Sequence, residues 1–120
     1  MTVSEVLVIG LGGFIGAVVR FFISAKMNKV GRMPIGTMVV NLTGSLLIGL
    51  LIGLELPMLW TVFLVSGIMG ALTTFSTLMK ELLQLWSDGQ RGKSIVYCMW
   101  TFVFGIALAY FGFVIGGFLN

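Results

Sequence analysis

Four long apolar stretches run along the chain, with polar or charged separators between them. A helix needs roughly 20 apolar residues to cross a bilayer, and the stretches that satisfy this length cover residues 4–24, 35–54, 59–85 and 94–116. The pattern predicts an all-α membrane protein, a single domain over residues 1–120 with four transmembrane helices. Because the second separator is very short, we expect the second and third helices to pack as an antiparallel hairpin.

The third stretch is longer than one crossing requires. A helix over residues 59–85 would rise about 40 Å at about 1.5 Å per residue, whereas the hydrocarbon core is about 30 Å thick. Hydroxyl side chains that compete for main-chain hydrogen bonds cluster near its middle, at Thr73, Thr74, Ser76 and Thr77. We therefore predict a break in the third helix near Leu72–Thr77. Lipid offers main-chain groups no partner, so this segment is the candidate working site.

Small residues recur at four-residue spacing in every stretch, a spacing that lets helix backbones approach closely. The pairs are Gly12 and Gly16, Ser45 and Gly49, Gly49 and Gly53, Ser66 and Gly70, and Gly112 and Gly116. The spacing predicts a tight bundle without a central pore. A chain of 13.0 kDa that moves a solute across a bilayer is therefore expected to work as an oligomer.

Composition and charge agree with a multi-pass protein of the cell membrane. Only 9% of the residues are charged, against about 25% in soluble domains. All the loop cations lie in the first and third separators, at Lys26, Lys29, Arg32, Arg91 and Lys93. The positive-inside rule then predicts that loops 1 and 3 are cytoplasmic. The net charge of +3 reflects this topology, and we expect no nucleic-acid partner.

The chain lacks the parts of the common catalytic sites. It has no histidine, one cysteine and no acid pair inside a stretch, so zinc sites and acid–base or nucleophile–base pairs are excluded, and we expect no enzyme. A small multidrug exporter remains a remote alternative. It would need a carboxylate inside the first helix, where this chain has Phe14, with Glu5 only near the end.

The polar side chains within the stretches are mostly neutral hydrogen-bond donors, which suit a small anion better than a cation. Each also has a plainer explanation. Asn41 could clamp two helices, and the threonines could bond their own helix one turn back. Arg20 could extend toward the basic side, Phe75 could face lipid, and Tyr97 could anchor the chain at the interface.

Four pieces of sequence follow one another along the chain: GGFIGAVVRF at Gly12–Phe21, GTMVVNLTGSLLIG at Gly36–Gly49, GIMGALTTFST at Gly67–Thr77, and Tyr97 with Thr101. Taken together in this order, they resemble the Fluc (CrcB-type) family of fluoride channels. The resemblance covers essentially the whole chain. It implies a fluoride-selective channel that exports cytoplasmic fluoride passively and gives fluoride resistance. It also implies a dual-topology dimer of two antiparallel subunits, with two fluoride pathways along their interface.

The same resemblance assigns roles to individual residues. The implied fluoride pathway comprises Asn41, Phe75, Ser76, Thr77, Tyr97 and Thr101, and Arg20 lies toward a vestibule. A structural sodium ion, which is bound but not transported, is implied at the dimer centre. Its ligands in this chain are the backbone carbonyls of Gly70 and Thr73.

Two features depart from the family pattern. Leu78 stands where the family usually has a second phenylalanine, so one ring of each pathway is missing. The loop charges are also strongly biased, whereas a chain that pairs with its own inverted copy should carry balanced loops. We therefore hypothesise a heterodimer with a related subunit of opposite orientation. The alternative function is a non-conducting structural subunit of such a channel, which Leu78 favours.

Overall fold

The computed structural model describes residues 2–27 and 34–120. It contains α1 (Val3–Met27), α2 (Ile35–Gly53), a third crossing over Met58–Ser87, and a last helix over Arg91–Leu119. Within those residues, these four helices are long and apolar enough to cross a membrane, and no strand is present. The predicted all-α fold with four membrane helices is therefore confirmed, with boundaries close to the predicted ones.

The third crossing is interrupted near its middle. It begins with α3 (Met58–Thr61), continues as a π-helical segment (Val62–Met69) and a single α-helical turn, α4 (Gly70–Leu72), and resumes as α5 (Ser76–Ser87) before the last helix, α6. At Thr73 the chain leaves the helix with φ −80° and ψ 155°, an extended conformation. The predicted break in the third helix is thus confirmed, and the extra length of this stretch is taken up by the interruption.

The helices pack as two parallel pairs whose contacts pass through glycines. A methyl group added at Gly12 of α1 would lie 2.7 Å from the carbonyl oxygen of Phe63, and one at Gly16 would meet the carbonyl oxygen of Ile68. In the second pair, a methyl group at Gly49 of α2 would meet the carbonyl oxygen of Ala109 in α6. The predicted glycine pairs of α1, α2 and α6 are therefore places of close backbone approach, whereas Ser66 and Gly70 of the third crossing are exposed.

The main partner of α2 is α6, rather than the third crossing that follows it in the chain. The expected hairpin of the second and third helices is therefore not the main packing unit. Chain order places the end of α1 and the start of α6 on the same side of the bundle, so Lys26 lies on the same side as Arg91 and Lys93. Lys29 and Arg32 lie outside the described residues, and the orientation in the membrane stays a prediction.

The buried apolar side chains form two small clusters on either side of the break. Before it, Met69 and Leu72 pack with Val40 of α2. After it, an apolar stripe of α5 at Leu78, Leu82 and Leu85 packs with Tyr97 of α6. The break therefore lies between two fixed pieces of core, which hold its ends in place.

Candidate functional site

One side chain from α2 spans the break in the third crossing. Asn41 Nδ2 donates to the carbonyl oxygen of Thr74 at 3.0 Å, and Asn41 Oδ1 accepts the Thr74 N–H at 2.8 Å. The amide thus replaces both main-chain partners that Thr74 would have in a continuous helix. These hydrogen bonds support the interhelical clamp that was one explanation of Asn41. The Asn41 amide also carries a second N–H, which leaves it one further donor.

The break removes the usual hydrogen bonds from main-chain oxygens on its N-terminal side. The Thr74 N–H is bonded to Asn41 rather than to the carbonyl oxygen of Gly70. The Thr77 N–H is bonded to Thr74 Oγ1 at 3.3 Å, rather than to the carbonyl oxygen of Thr73. Within residues 2–27 and 34–120, no hydrogen bond ends on either of these two oxygens. Main-chain oxygens of this kind are suitable ligands for a hard cation.

The Thr73 side chain bonds its own helix one turn back, which was the plainer explanation given for the threonines. Its Oγ1 donates to the carbonyl oxygen of Met69, one turn back, at 2.9 Å. The same oxygen accepts the Thr73 N–H at 3.0 Å. The Thr73 hydroxyl therefore closes the end of the first half of the crossing, while its carbonyl oxygen is left without a partner.

A cavity of about 340 Å³ lies beside the break, with α2 and α6 as two of its walls. Asn41, Thr74 and Thr101 are among the polar residues that line it. Thr101 is 7% exposed, and among the described residues its Oγ1 is buried without a hydrogen-bond partner. Leaving a buried hydroxyl without a partner costs about 1–3 kcal/mol. Among the described residues, the Thr101 hydroxyl is therefore a buried hydrogen-bonding group of the cavity wall that has no partner.

Some of the predicted pathway residues line this cavity and others do not. Asn41, Phe75 and Thr101 line it, and the Phe75 ring is 65% exposed in the single chain. Ser76 is exposed and Thr77 is half-buried at the start of α5, and neither lines the cavity. Arg20 is half-buried on α1, one turn beyond Gly16. Tyr97 is fully buried and lies one turn of α6 from Thr101.

A second polar cluster contains a residue that sequence reasoning missed. Glu81 of α5 accepts a hydrogen bond from the Tyr97 hydroxyl at 3.2 Å and another from Thr37 Oγ1 of α2 at 3.1 Å. Thr37 and Tyr97 are both fully buried. The sequence analysis gave Glu81 no role, although it lies inside the predicted stretch 59–85 and inside the crossing over Met58–Ser87.

One helical turn separates the polar residues at the cavity, Asn41 and Thr101, from those that bind Glu81, Thr37 and Tyr97. Thr37 and Asn41 are four residues apart on α2, and Tyr97 and Thr101 are four residues apart on α6, so each pair shares a helix face. Because α2 and α6 run parallel, both pairs step in the same direction, by about 6 Å at 1.5 Å per residue. The result is a polar track from the cavity at the break to Glu81. The sequence signal that could have drawn attention to Glu81 is the presence of a carboxylate inside an apolar stretch, which is rare in membrane helices.

Comparison with known proteins gives one family. Residues 7–113 match the family model described as CrcB-like protein, Camphor Resistance (CrcB). The chain is 40% identical over 116 residues to the fluoride-specific ion channel FluC 2 of Bacillus thuringiensis subsp. konkukian, which covers 94% of this chain and 98% of that protein. It is 39% identical over 111 residues to the fluoride-specific ion channel FluC 1 of Geobacillus kaustophilus, which covers 92% of this chain and 96% of that protein.

Proposed function

This chain belongs to the CrcB-like protein family, and we propose that it is a subunit of a fluoride-specific ion channel in the cell membrane. Relatives that are 40% identical over nearly their whole length carry that name. The protein is accordingly a channel and not an enzyme. Membership of this family also removes the basis for the remote alternative, a small multidrug exporter.

One observation in the structure carries the proposal furthest, namely the buried Thr101 hydroxyl that has no partner among the described residues and lines the cavity. Fluoride is small and strongly hydrated, so a pathway must replace lost water with hydrogen-bond donors. Thr101 Oγ1 and the second N–H of Asn41 supply two such donors at the cavity. Neither carries a fixed charge, so the bound ion can be released again, as conduction requires.

The remaining proposed pathway residues extend from this point. Phe75 offers the edge of its ring, which carries partial positive charge. Ser76 and Thr77 follow at the start of α5, and Tyr97 lies one turn along α6, with its hydroxyl proton donated to Glu81. We propose that Arg20 lies toward a vestibule. Fluoride that enters a cell as HF is trapped there as F⁻, so a passive path is sufficient for export and resistance.

The proposed structural sodium ion has suitable ligands in this chain. The carbonyl oxygens of Gly70 and Thr73, which lose their helical partners at the break, would hold it together with the same oxygens of a second subunit. A bound cation supplies positive charge that offsets the dipoles of converging carbonyl groups. In this chain the hydrogen bonds of Asn41 keep the break open, and therefore keep these oxygens free of main-chain donors.

We further propose that the second subunit is inverted relative to this one and is either a copy of the chain or a related chain. The bias of loop cations favours a related chain. Leu78 is the feature that favours a non-conducting structural role as the alternative, because it is aliphatic, lines the cavity and is only 3% exposed. In that case the partner would supply the fluoride pathway.

The proposal is tested by reconstituting the purified chain in liposomes loaded with fluoride and following efflux with a fluoride electrode, with chloride as the comparison ion. Fluoride efflux well above that of empty liposomes, without chloride efflux, is the expected result for the conducting assembly. Efflux from the chain alone would contradict an obligate partner. If neither the chain alone nor its complex with a related subunit conducts, the channel proposal is wrong.

Replacing Thr101 with valine is expected to separate an ion-binding role from a structural one. Valine keeps the shape but removes the hydroxyl, so fluoride efflux should fall by about ten- to a hundredfold if the hydroxyl donates to the ion. Because that hydroxyl has no partner among the described residues, the resistance of the protein to unfolding should stay the same or rise. Thr43→Val is the control, since Thr43 is exposed on α2. Unchanged efflux from Thr101→Val would contradict the role of this hydroxyl.

A further inference from the structure

A second aromatic side chain lines the cavity beside the break. Phe102 of α6 follows Thr101 directly in the chain and shares the cavity lining with Phe75 and Leu78. Its side chain is 43% exposed in the single subunit. We propose that Phe102 is a pathway residue that presents a ring edge to the anion, and thereby replaces the ring that Leu78 does not provide. This inference rests on the proposed function.

The ring of Phe102 is not committed to another aromatic contact. Two nearby rings of α6, those of Trp100 and Phe104, pack against each other with centroids 4.4 Å apart. In the described part of the chain, neither Phe102 nor Phe75 has such a partner. Their positive edges therefore remain available to an anion in the cavity.

The surroundings of Phe102 leave space for its ring. Gly105, one turn along α6, also lines the cavity, and a methyl group added there would lie 3.5 Å from Ser45 Oγ. With no side chain at this position, the cavity extends along α6 beside the ring. A larger side chain at Gly105 would fill the space that an ion needs to pass Phe102.

A ring from α6 can supply the aromatic edge that Leu78 of α5 does not provide. Leu78 lines the same cavity but has no aromatic edge, and it is held in the core by Tyr97, Leu82 and Leu85. The wall that α5 contributes is therefore aliphatic. Phe75 comes from the break and Phe102 from α6, so the two rings approach the cavity from different elements. An ion between them would meet ring edges as well as the donors Asn41 and Thr101.

The strength of a contact between the anion and the Phe102 ring suits an ion that passes the ring rather than one that stays bound there. The edge of an aromatic ring carries only partial positive charge, so its contact with an anion is weaker than that of a fixed charge. We expect loss of the ring to lower efflux by about tenfold, which corresponds to about 1.36 kcal/mol. It is too little to retain the ion.

The test compares variants that fill the same volume with and without a ring. Phe102→Met replaces the ring with a flexible apolar chain, and we expect it to lower fluoride efflux by about tenfold. Phe102→Tyr keeps the ring and should retain more efflux than Phe102→Met. Phe111→Met is the matched control, because Phe111 is exposed on α6 at 57% and does not line the cavity. All are measured in the liposome assay, in the preparation in which the wild-type protein conducts.

The outcomes distinguish this inference from the proposed function. If the wild-type protein conducts fluoride and Phe102→Met conducts equally well, Phe102 has no pathway role, while the channel proposal stands. The inference is also wrong if Phe102→Met and Phe111→Met lower efflux to the same extent. If no wild-type preparation conducts, the proposed function fails and the role of Phe102 fails with it. Gel filtration of each variant in detergent verifies that assembly is unchanged before efflux is compared.

Discussion

Replacing Asn41 with alanine is expected to lower fluoride efflux by at least about a hundredfold. The amide satisfies both main-chain groups of Thr74, at 3.0 and 2.8 Å, and has a further N–H for the ion. Alanine removes these bonds together and leaves an N–H and a carbonyl oxygen of the break without partners, which costs about 1–3 kcal/mol for each group. A loss of about 2.7 kcal/mol at the pathway already corresponds to a hundredfold change.

A second substitution distinguishes the two roles proposed for Asn41, which are to hydrogen-bond the main chain of Thr74 and to donate to the ion. Asn41→Asp keeps an oxygen that can accept the Thr74 N–H but loses the N–H donors and adds negative charge in the cavity. We expect it to assemble better than Asn41→Ala and to conduct no better. Thr43→Ala, an exposed position on the same helix, is the control. If Asn41→Ala conducts like the wild-type protein in the assembled complex, and Phe75→Ala does too, this chain is the structural subunit and not the conducting one.

The fold was predictable from sequence because its signals are local. The length and polarity of each apolar stretch determine where a membrane helix can begin and end. The break was predictable for a related reason, since the third stretch is too long for one crossing and its excess coincides with hydroxyl residues. Thr73 leaves the helix inside the predicted segment Leu72–Thr77. None of these predictions depends on which helices are neighbours.

The predictions that were incomplete or missing depend on which helices are neighbours. The short loop after α2 indicated a hairpin with the third crossing, and α2 does contact that crossing. Its closest backbone approach, however, is to α6, where glycines of α2 meet glycines and Ala109. The partner of Asn41 could not be read from sequence for the same reason, because Thr74 lies 33 residues away. Glu81 was overlooked because its burial follows from the packing of α5 between Thr37 and Tyr97, not from its position in the stretch.

The pairing of α2 with α6 matters for function because both polar clusters form across it. Asn41 and Thr37 come from α2, and Thr101 and Tyr97 come from α6. The width of the cavity and the hydrogen bonds of Glu81 are therefore set by how closely these two helices approach. Any change that separates them should disturb the proposed pathway without touching a pathway residue.

Replacing Gly49 with alanine is expected to produce that separation. The added methyl group would meet the carbonyl oxygen of Ala109, a main-chain atom that cannot rotate away, so α6 must move. Overpacking of this kind costs about 1–3 kcal/mol. We expect Gly49→Ala to unfold at lower denaturant concentration in detergent and to lose most fluoride efflux.

Gly117→Ala provides the matched control, because a methyl group at Gly117 of α6 would meet nothing within 4 Å. Alanine stabilises a helix by roughly 0.5–1 kcal/mol relative to glycine, so this control should be neutral or slightly more stable than the wild-type protein. The two substitutions add the same methyl group and are expected to shift stability in opposite directions. If both shift it equally, the α2–α6 contact is looser than the glycines indicate, and the polar track between these helices has another origin.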